Sequence, residues 1–234
     1  MIEGFDQYAQ EYDAWFLENP NVLESEARLV ASTLRGGGRI LSVGCGSGLF
    51  ETILNRDFGI TVTDGVEPSA SMADIARRRG MKVTEATAEE FDFPQDVYDT
   101  VLFNGCPSYI TDLKRVVEKV YTALRPGGRI VLVDVPKEST YGIMYNLAKA
   151  LGTWEHPLLE GTYPPNPYPI ELVKVARWRT TTEKIALLEE TGFRDLTYAQ
   201  TLTTHPLYSD MNVEEPVPGY DRGDYVAITA IKPC

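Results

Sequence analysis

Apolar positions recur with helical spacing at the start of the chain. Aromatic residues three and four positions apart predict a first helix whose apolar face covers a core. They are Phe5, Tyr8, Tyr12, Trp15 and Phe16. A second helix is predicted over 22–34, after the break at Pro20 and before the three glycines at 36–38. Residues 1–36 are therefore expected to form a helical cap at the N-terminus.

From residue 39 onward, short apolar runs alternate with helical patterns. The predicted strands cover 39–43, 60–66, 82–86, 98–103, 129–135, 195–203 and 224–231. The predicted helices cover 49–55, 69–79, 112–124, 141–151 and 181–191. Strands separated by helices need crossover connections and so predict a parallel sheet, whereas the last two strands, joined by an irregular acidic segment, fit an antiparallel hairpin. The pattern predicts an α/β fold with one core over residues 1–234.

The segment 136–180 interrupts this alternation with aromatic residues and prolines. Five prolines lie between Pro157 and Pro169, and the stretch GTYPPNPYP cannot form regular structure. Long loops of this kind are more often functional lids than linkers. We therefore expect this insertion to cover one side of a binding site.

Charge and composition exclude several classes of function. The net charge of −12 and the pI of about 4.7 would repel a phosphate backbone, so nucleic acid is not the expected partner. Three cysteines without CxxC spacing and two histidines do not form a usual metal site. The acidic N-terminus and the lack of an apolar run of about 20 residues predict no signal peptide and no membrane span. A cytoplasmic location is therefore expected.

The stretch ILSVGCGSGLFE, residues 40–51, reads as a strand that enters a glycine-rich turn. Its glycines give GxGxG, whereas a dinucleotide fingerprint would have its third glycine at Leu49. Glu67 follows Gly44 by 23 residues, at the end of the next strand, where a carboxylate can accept both hydroxyls of a ribose. The alternatives are a tight turn without a ligand and a Glu67 that only stabilises the next helix N-terminus. Together these features favour a ribose-bearing ligand.

Four stretches in this order resemble the class I S-adenosylmethionine-dependent methyltransferases. They are VGCGSG, GVEPSASM, ATAEEFDFPQDVYDTVLFNG and ALRPGGRIVLVD. FDQYAQEYDAWF and TTTEKIALLEETGFRDL extend the resemblance over nearly the whole chain, within the small-molecule branch typified by ubiquinone and menaquinone methyltransferases. The resemblance implies a Rossmann-like sheet of seven mostly parallel strands with the last one antiparallel. It also implies S-adenosylmethionine as the cofactor.

The resemblance assigns cofactor roles to residues that match the family's stretches. Those around the methionine part are Gly44, Cys45, Gly46 and Gly48, with Glu67 on the ribose. Pro68 is expected to contact the cofactor and Met72 to pack under the adenine, although Met72 could equally be ordinary core. Thr87, Ala88 and Glu89 match the stretch along the adenine edge, Asn104 and Gly105 lie beneath the sulfonium, and Tyr8 belongs to the N-terminal lid. Thr87 stands where Asp is common.

Ser42 departs from the family, which usually has Asp or Glu there as a counter-charge for the cofactor's ammonium group. A neutral hydroxyl is a weaker partner than a carboxylate, by roughly a factor of two. Cofactor affinity should therefore fall, or a neighbour should compensate. The candidates are Glu51 and the hydroxyls of Tyr8 and Tyr12.

The methyl acceptor and its contacts are less constrained by the sequence. Tyr12, Tyr141 and Tyr145 are expected to line the acceptor pocket, with ordinary packing as the alternative, and His156 is the candidate general base. Three functions remain open: a small-molecule methyltransferase, a non-catalytic S-adenosylmethionine-binding protein, and a nicotinamide-dependent oxidoreductase. The acceptor atom is open as well. A homodimer is compatible with a sequence that does not fix the oligomeric state.

Overall fold

The computed structural model describes residues 9–34 and 36–234, and one mixed sheet forms its centre. Its strands are β1 (Ile40–Val43), β2 (Asp64–Val66), β3 (Lys82–Thr84), β4 (Tyr98–Asn104), β5 (Leu124–Asp134), β6 (Arg194–Thr201), β7 (Val217–Pro218) and β8 (Tyr225–Ile231). Their order is β3-β2-β1-β4-β5-β8-β6-β7. Strands β1 to β5 pair in parallel, whereas β8 is antiparallel to both β5 and β6. The α/β fold with an antiparallel end is confirmed.

Helices cover both faces of the sheet. They are α1 (Ala9–Glu18), α2 (Pro20–Thr33), α3 (Leu49–Phe58), α4 (Ala70–Arg78), α5 (Leu113–Ala123), α6 (Thr140–Leu151), α7 (Ile170–Val175) and α8 (Thr181–Thr191). One core packs α5 and α8 against the sheet, and a second packs α1, α2 and α3 against the other face. Alternate strand residues supply the two cores: Val101 and Phe103 belong to the first, and Leu102 to the second.

Side-chain caps mark where several helices begin. Ser69 accepts a hydrogen bond from the backbone N–H of Met72, and Asp112 does the same for Arg115. Thr180 and Glu183 form a reciprocal capping box at the start of α8. Each of these caps satisfies an N–H group that the helix itself leaves unpaired.

The sheet differs from the expected one in strand number and length. It has eight strands in the described residues rather than seven, because β7 is a two-residue strand beside β6 within the segment expected to be irregular. Two residues are too few for any periodic signal. The predicted strand over 60–66 is regular only at 64–66, and β5 begins at Leu124, five residues before the predicted start.

The insertion 136–180 has a small core of its own. The expected helix forms as α6, but the six-residue α7 follows the proline-rich stretch and was not predicted. Tyr145 packs its ring against Trp154 and Trp178, at centroid distances of 5.8 and 5.1 Å. The aromatic residues that suggested a lid therefore mostly pack against one another.

Candidate active site

A cavity of about 670 Å³ opens where β1, β2 and β4 end, at the point where the strand order reverses. Ligands of open α/β sheets bind at such reversals, and the volume is within the usual range of ligand pockets. The strand-end residues on its wall are Val43, Gly44, Val66, Glu67, Asn104 and Gly105. The wall also includes Gly46, Pro68, Met72, Thr87, Ala88 and Glu89. The structure thus brings most of the predicted cofactor residues together.

The glycine turn, residues 44–48, approaches the cavity with backbone rather than with side chains. Gly44 has φ of +64°, and a Cβ there would lie 2.6 Å from Cβ of Cys106. Gly46 has φ of +56°, and its N–H donates to Oε2 of Glu67 at 2.9 Å. Both positions need a conformation that L side chains rarely adopt. The turn therefore presents its backbone to the cavity, and a side chain at Gly44 would collide with Cys106.

Glu67 fixes the geometry between the glycine turn and α4. Its Oε2 accepts from Gly46, and its Oε1 accepts from the N–H of Ser69 at 2.9 Å. The side chain is buried, with 6% of its surface exposed, yet it lies on the cavity wall. Charge-assisted bonds of this kind are stronger than neutral ones, so the carboxylate is held in one orientation. A carboxylate at this position can accept ribose hydroxyls.

The residues expected around the adenine form one stretch of the wall. Met72 is almost completely buried and lines the cavity, so packing and ligand contact are compatible roles. Thr87 donates from its hydroxyl to Glu90 at 2.8 Å, and Glu89 accepts from the N–H of Thr111 at 2.9 Å. Asn104, beneath the expected sulfonium, accepts from the hydroxyl of Tyr225 at 2.8 Å.

Ser42 has a carboxylate partner on α3. Its Oγ donates to Oε1 of Glu51 at 2.6 Å, and both side chains are buried. Burial raises the pKa of Glu51, whereas the bond from Ser42 lowers it. The other oxygen, Oε2, has no hydrogen-bond partner among the described residues. Glu51 is one of the charges that raise the pKa of Tyr12, which lies on the cavity wall. A buried acceptor without a donor fits the ammonium group of the expected cofactor.

Two of the predicted cofactor residues do not line the cavity. The side chain of Cys45 packs in a small cluster with Ala76 and Met81, because there is space for it beside the bare backbone of Gly65. Burial raises the pKa of its thiol well above the usual value. Gly48, at φ of +74°, precedes the first residue of α3 and shapes the turn without facing the cavity. Both residues support the turn from behind.

Three tyrosines from distant parts of the chain form one side of the cavity. Tyr12 lies on α1, Tyr109 in a short 3₁₀ helix (Pro107–Tyr109) after β4, and Tyr168 in the insertion. The ring centroids of Tyr12 and Tyr168 are 6.4 Å apart, and all three side chains lie on the cavity wall. Burial raises the pKa of Tyr109 above its usual range. Sequence reasoning found Tyr12 but missed the other two.

The structure does not bring the remaining acceptor candidates to the cavity wall. Tyr141 bonds through its hydroxyl to Ser209 at 2.7 Å, and Tyr145 is buried in the core of the insertion. His156 accepts from the N–H of Leu158 at 3.2 Å and caps the turn that begins at Pro157, so this geometry gives no support for a base. The acceptor roles expected of these three residues stay predictions. Tyr8 lies outside the described residues.

An ionic contact fastens α1 to the glycine turn. Ser47 donates from its hydroxyl to Asp13 at 2.5 Å, and Arg79 bonds both Asp13, at 2.7 Å, and Ser47, at 2.8 Å. Arg79 follows the last residue of α4 and reaches back to the turn. Since α1 also contains Tyr12, this contact connects the tyrosine side of the cavity to the cofactor side.

A buried ion pair at the end of β5, the strand next to β4, supports the wall. Asp134, the last residue of β5, lies 3.7 Å from Nζ of Lys184 on α8 and accepts from the hydroxyl of Ser108 at 2.7 Å. Burial raises the pKa of Asp134 and lowers that of Lys184. Ser108 precedes Tyr109, so this pair holds the 3₁₀ helix on which a cavity tyrosine lies.

Two features are absent from the described part of the chain. Residues 9–34 and 36–234 contain no helix that is long and apolar enough to cross a membrane. Across the same residues, no group of three or more histidine, cysteine, aspartate or glutamate side chains is arranged to hold a metal ion.

Comparison with known proteins adds a family and several relatives. Residues 17–197 match the model of a methyltransferase domain. A crystal structure of an S-adenosylmethionine-dependent methyltransferase from Thermotoga maritima, described as a possible histamine N-methyltransferase, superposes with a TM-score of 0.83 at 29% identity. The match covers 99% of this chain and 100% of the Thermotoga maritima chain.

Two curated relatives match at similar identity. An uncharacterised protein of Methanocaldococcus jannaschii is 30% identical over 228 residues, which are 97% of this chain and 98% of that protein. A ubiquinone/menaquinone biosynthesis C-methyltransferase of Vibrio parahaemolyticus is 28% identical over 117 residues, 45% of this chain and 44% of that enzyme. The resemblance drawn from the sequence is thereby confirmed.

Proposed function

Since this chain belongs to the methyltransferase domain family and uses S-adenosylmethionine as its cofactor, we propose that it transfers the cofactor's methyl group to a small molecule. The observation that carries the proposal is the tyrosine side of the cavity. Tyr12, Tyr109 and Tyr168 come from the N-terminal cap, the β4 loop and the insertion, and they lie together beside Asn104 and Gly105 on the wall. Such a wall suits a compact acceptor, and the net charge of −12 disfavours nucleic acid.

The cofactor residues take the roles that their positions allow. The backbone of the glycine turn receives the methionine part, and the free oxygen of Glu51 accepts its ammonium group. Glu67 holds the ribose. Pro68, Met72 and the run 87–89 enclose the adenine. Each assignment is supported by a place on the cavity wall, except Glu51, which is supported by its unpartnered buried oxygen.

Methyl transfer asks little covalent chemistry of the protein. Bound S-adenosylmethionine supplies a methyl group on a sulfonium, which is already an activated leaving group. The chain's part is to align the acceptor with that methyl and to exclude water. Residues 1–36 and 136–180 provide the acceptor side through Tyr12 and Tyr168, while the Asp134–Lys184 pair holds Tyr109 in place.

The names of the relatives do not decide the acceptor. One relative is a ubiquinone/menaquinone biosynthesis C-methyltransferase and another is described as a possible histamine N-methyltransferase, so the names of the relatives include both carbon and nitrogen methylation. Family membership argues against a nicotinamide-dependent oxidoreductase. The residues beside the cavity, rather than the family, must therefore define the acceptor class.

Isotope transfer tests the proposal. The purified protein is incubated with S-adenosylmethionine labelled in its methyl group and with separate fractions of a cell extract. Label transferred from the cofactor to other molecules is then counted in each fraction. We expect label in the low-molecular-mass fraction, a loss of transfer with Glu67→Ala, and normal transfer with Glu85→Ala. Glu85 is a matched control because it is an exposed glutamate just after β3. Label confined to protein or nucleic acid would contradict the small-molecule acceptor.

A further inference from the structure

Arg179, near the end of the insertion, binds the loop that follows β4. Its Nη1 donates to the carbonyl of Pro107 at 2.8 Å, and its Nη2 donates to the carbonyls of Ile110 at 2.8 Å and Thr111 at 3.3 Å. A guanidinium group has five N–H donors in a fixed planar fork, so it can serve several carbonyl groups at once. One side chain therefore holds both ends of the loop 107–111.

This loop is part of the cavity wall. Tyr109, Ile110 and Thr111 line the cavity, with Tyr109 on its tyrosine side. Pro107 and Ile110 lie before and after Tyr109 in the chain, so the two shortest bonds from Arg179 bracket the tyrosine. The direction of the Tyr109 ring therefore depends on backbone groups that Arg179 holds.

The segment that contains Arg179 is itself anchored in the insertion. Trp178 packs in the core of the insertion, where its ring centroid lies 5.1 Å from that of Tyr145. On the other side, the backbone N–H of Arg177 donates to the carbonyl of Ser108 at 2.7 Å. The insertion therefore grips the loop through its backbone as well as through Arg179.

The loop also has anchors other than the guanidinium group. Oε1 of Glu89, on the cavity wall, accepts from the N–H of Thr111 at 2.9 Å and from that of Asp112 at 3.3 Å. The hydroxyl of Ser108 donates to Asp134 at 2.7 Å. Without the guanidinium group the loop should therefore remain folded and keep its end at Glu89, whereas the carbonyl groups on either side of the tyrosine lose this donor.

We propose that Arg179 is a positioning residue for methyl transfer, which sets where the Tyr109 ring lies on the acceptor side of the cavity. Arg179 does not line the cavity, so it acts through the loop and not on the acceptor itself. A small displacement of a group that aligns a reactant is enough to slow a reaction strongly. The part of the proposal that concerns the acceptor rests on the proposed function, whereas the hold on the loop does not.

Two replacements of Arg179 and one control separate this role from general stability. Arg179→Met removes every donor, whereas Arg179→Lys keeps the positive charge but loses the planar fork that reaches two carbonyl groups together. Arg177→Met is the matched control, because Arg177 is an exposed arginine two residues away and its backbone bond to the loop does not need the side chain.

Hydrogen exchange and label transfer are measured on all four proteins. Exchange of the backbone N–H groups of Tyr109, Ile110 and Thr111 is followed by NMR on the full chain saturated with S-adenosylhomocysteine. Transfer of labelled methyl to the low-molecular-mass fraction of a cell extract is measured over serial dilutions of that fraction. The ratio of the maximal rate to the half-saturating amount gives the efficiency of transfer. Calorimetry with S-adenosylhomocysteine and urea unfolding complete the set.

In both Arg179 variants we expect the N–H groups of Tyr109 and Ile110 to exchange about tenfold faster, with that of Thr111 unchanged. The efficiency of transfer should fall about tenfold, while the Kd of S-adenosylhomocysteine stays within about twofold of the wild type. Arg179→Lys should recover the stability of the wild type without recovering the efficiency, whereas a purely structural role would restore both. Arg177→Met should match the wild type throughout.

Three results would overturn the proposal. They are wild-type exchange at Tyr109 and Ile110 in both Arg179 variants, wild-type efficiency in Arg179→Lys, and a loss of S-adenosylhomocysteine affinity as large as the loss of efficiency. Absence of transfer by the wild type to the low-molecular-mass fraction would instead contradict the proposed function, and the exchange rates would then decide alone whether Arg179 positions Tyr109.

Discussion

Replacement of Glu51 by Gln separates the two jobs that the structure gives this side chain. Oε1 accepts from Ser42, and an amide oxygen can do the same, so the fold should be preserved. Oε2 has no partner among the described residues, and an amide nitrogen there would present a donor to the cofactor's ammonium group. Cofactor affinity should therefore fall while stability does not.

The size of the effect follows from the hydrogen bond that is lost. Bonds to charged groups contribute about 1.5–3 kcal/mol, which predicts a rise in Kd of roughly 10- to 150-fold for S-adenosylmethionine. Ser42→Ala should show the reverse pattern. It leaves Oε1 of a buried carboxyl without its donor and should lower the free energy of unfolding by about 1–3 kcal/mol, with little change in affinity.

Calorimetry with two ligands makes the reasoning refutable. S-adenosylhomocysteine contains the ammonium group, whereas 5′-methylthioadenosine lacks the whole amino-acid part. Glu51→Gln should weaken the first ligand and leave the second unchanged, and urea unfolding should show wild-type stability. Equal binding of S-adenosylhomocysteine by Glu51→Gln and wild type would refute the assignment, and equal weakening of both ligands would indicate a general distortion of the site.

Three further predictions concern stability and the ionic contacts. Burial raises the pKa of Glu26 from 4.5 to about 8, so the folded protein holds this proton more tightly than the unfolded chain. The free energy of unfolding is therefore highest below pH 4.5 and falls as the pH rises to 8, by about 5 kcal/mol at most. Glu26→Gln should remove this loss in urea unfolding at pH 5 and 8; an unchanged pH slope would contradict it. Lys184→Ala should lower the free energy of unfolding by about 3–5 kcal/mol, because it leaves Asp134 unpaired. The double variant Lys184→Met, Asp134→Leu should lower it much less. Equal losses of stability for the two variants in thermal unfolding would contradict the pairing. Asp13→Ala should speed hydrogen exchange in the glycine turn and weaken cofactor binding severalfold, whereas the exposed control Asp57→Ala should do neither. Equal exchange rates in the two variants would contradict the contact between α1 and the glycine turn.

The cofactor side was predictable because its residues are close in the sequence. The glycine turn and Glu67 lie at strand ends, and Met72 lies one helical turn beyond the second of these. Local spacing is therefore enough to place them at the edge of the sheet where the cavity opens. The Ser42 departure also carried its own explanation, since Glu51 lies on the helix that follows the same turn and was already among the candidates.

The acceptor side was not predictable because it is assembled from distant segments. Tyr109 and Tyr168 are far apart in the chain and meet only through the packing of the insertion. His156 was chosen for its residue type, but its side chain caps a turn.

Binding of S-adenosylhomocysteine to wild type, Glu67→Ala and Glu85→Ala is the most direct test of the site as described. Loss of the ribose contacts and of the bond that orients Gly46 should cost about 3 kcal/mol, or roughly 150-fold in Kd, for Glu67→Ala alone. Wild-type affinity in Glu67→Ala would contradict the central claim that the cavity at the ends of β1, β2 and β4 holds the cofactor.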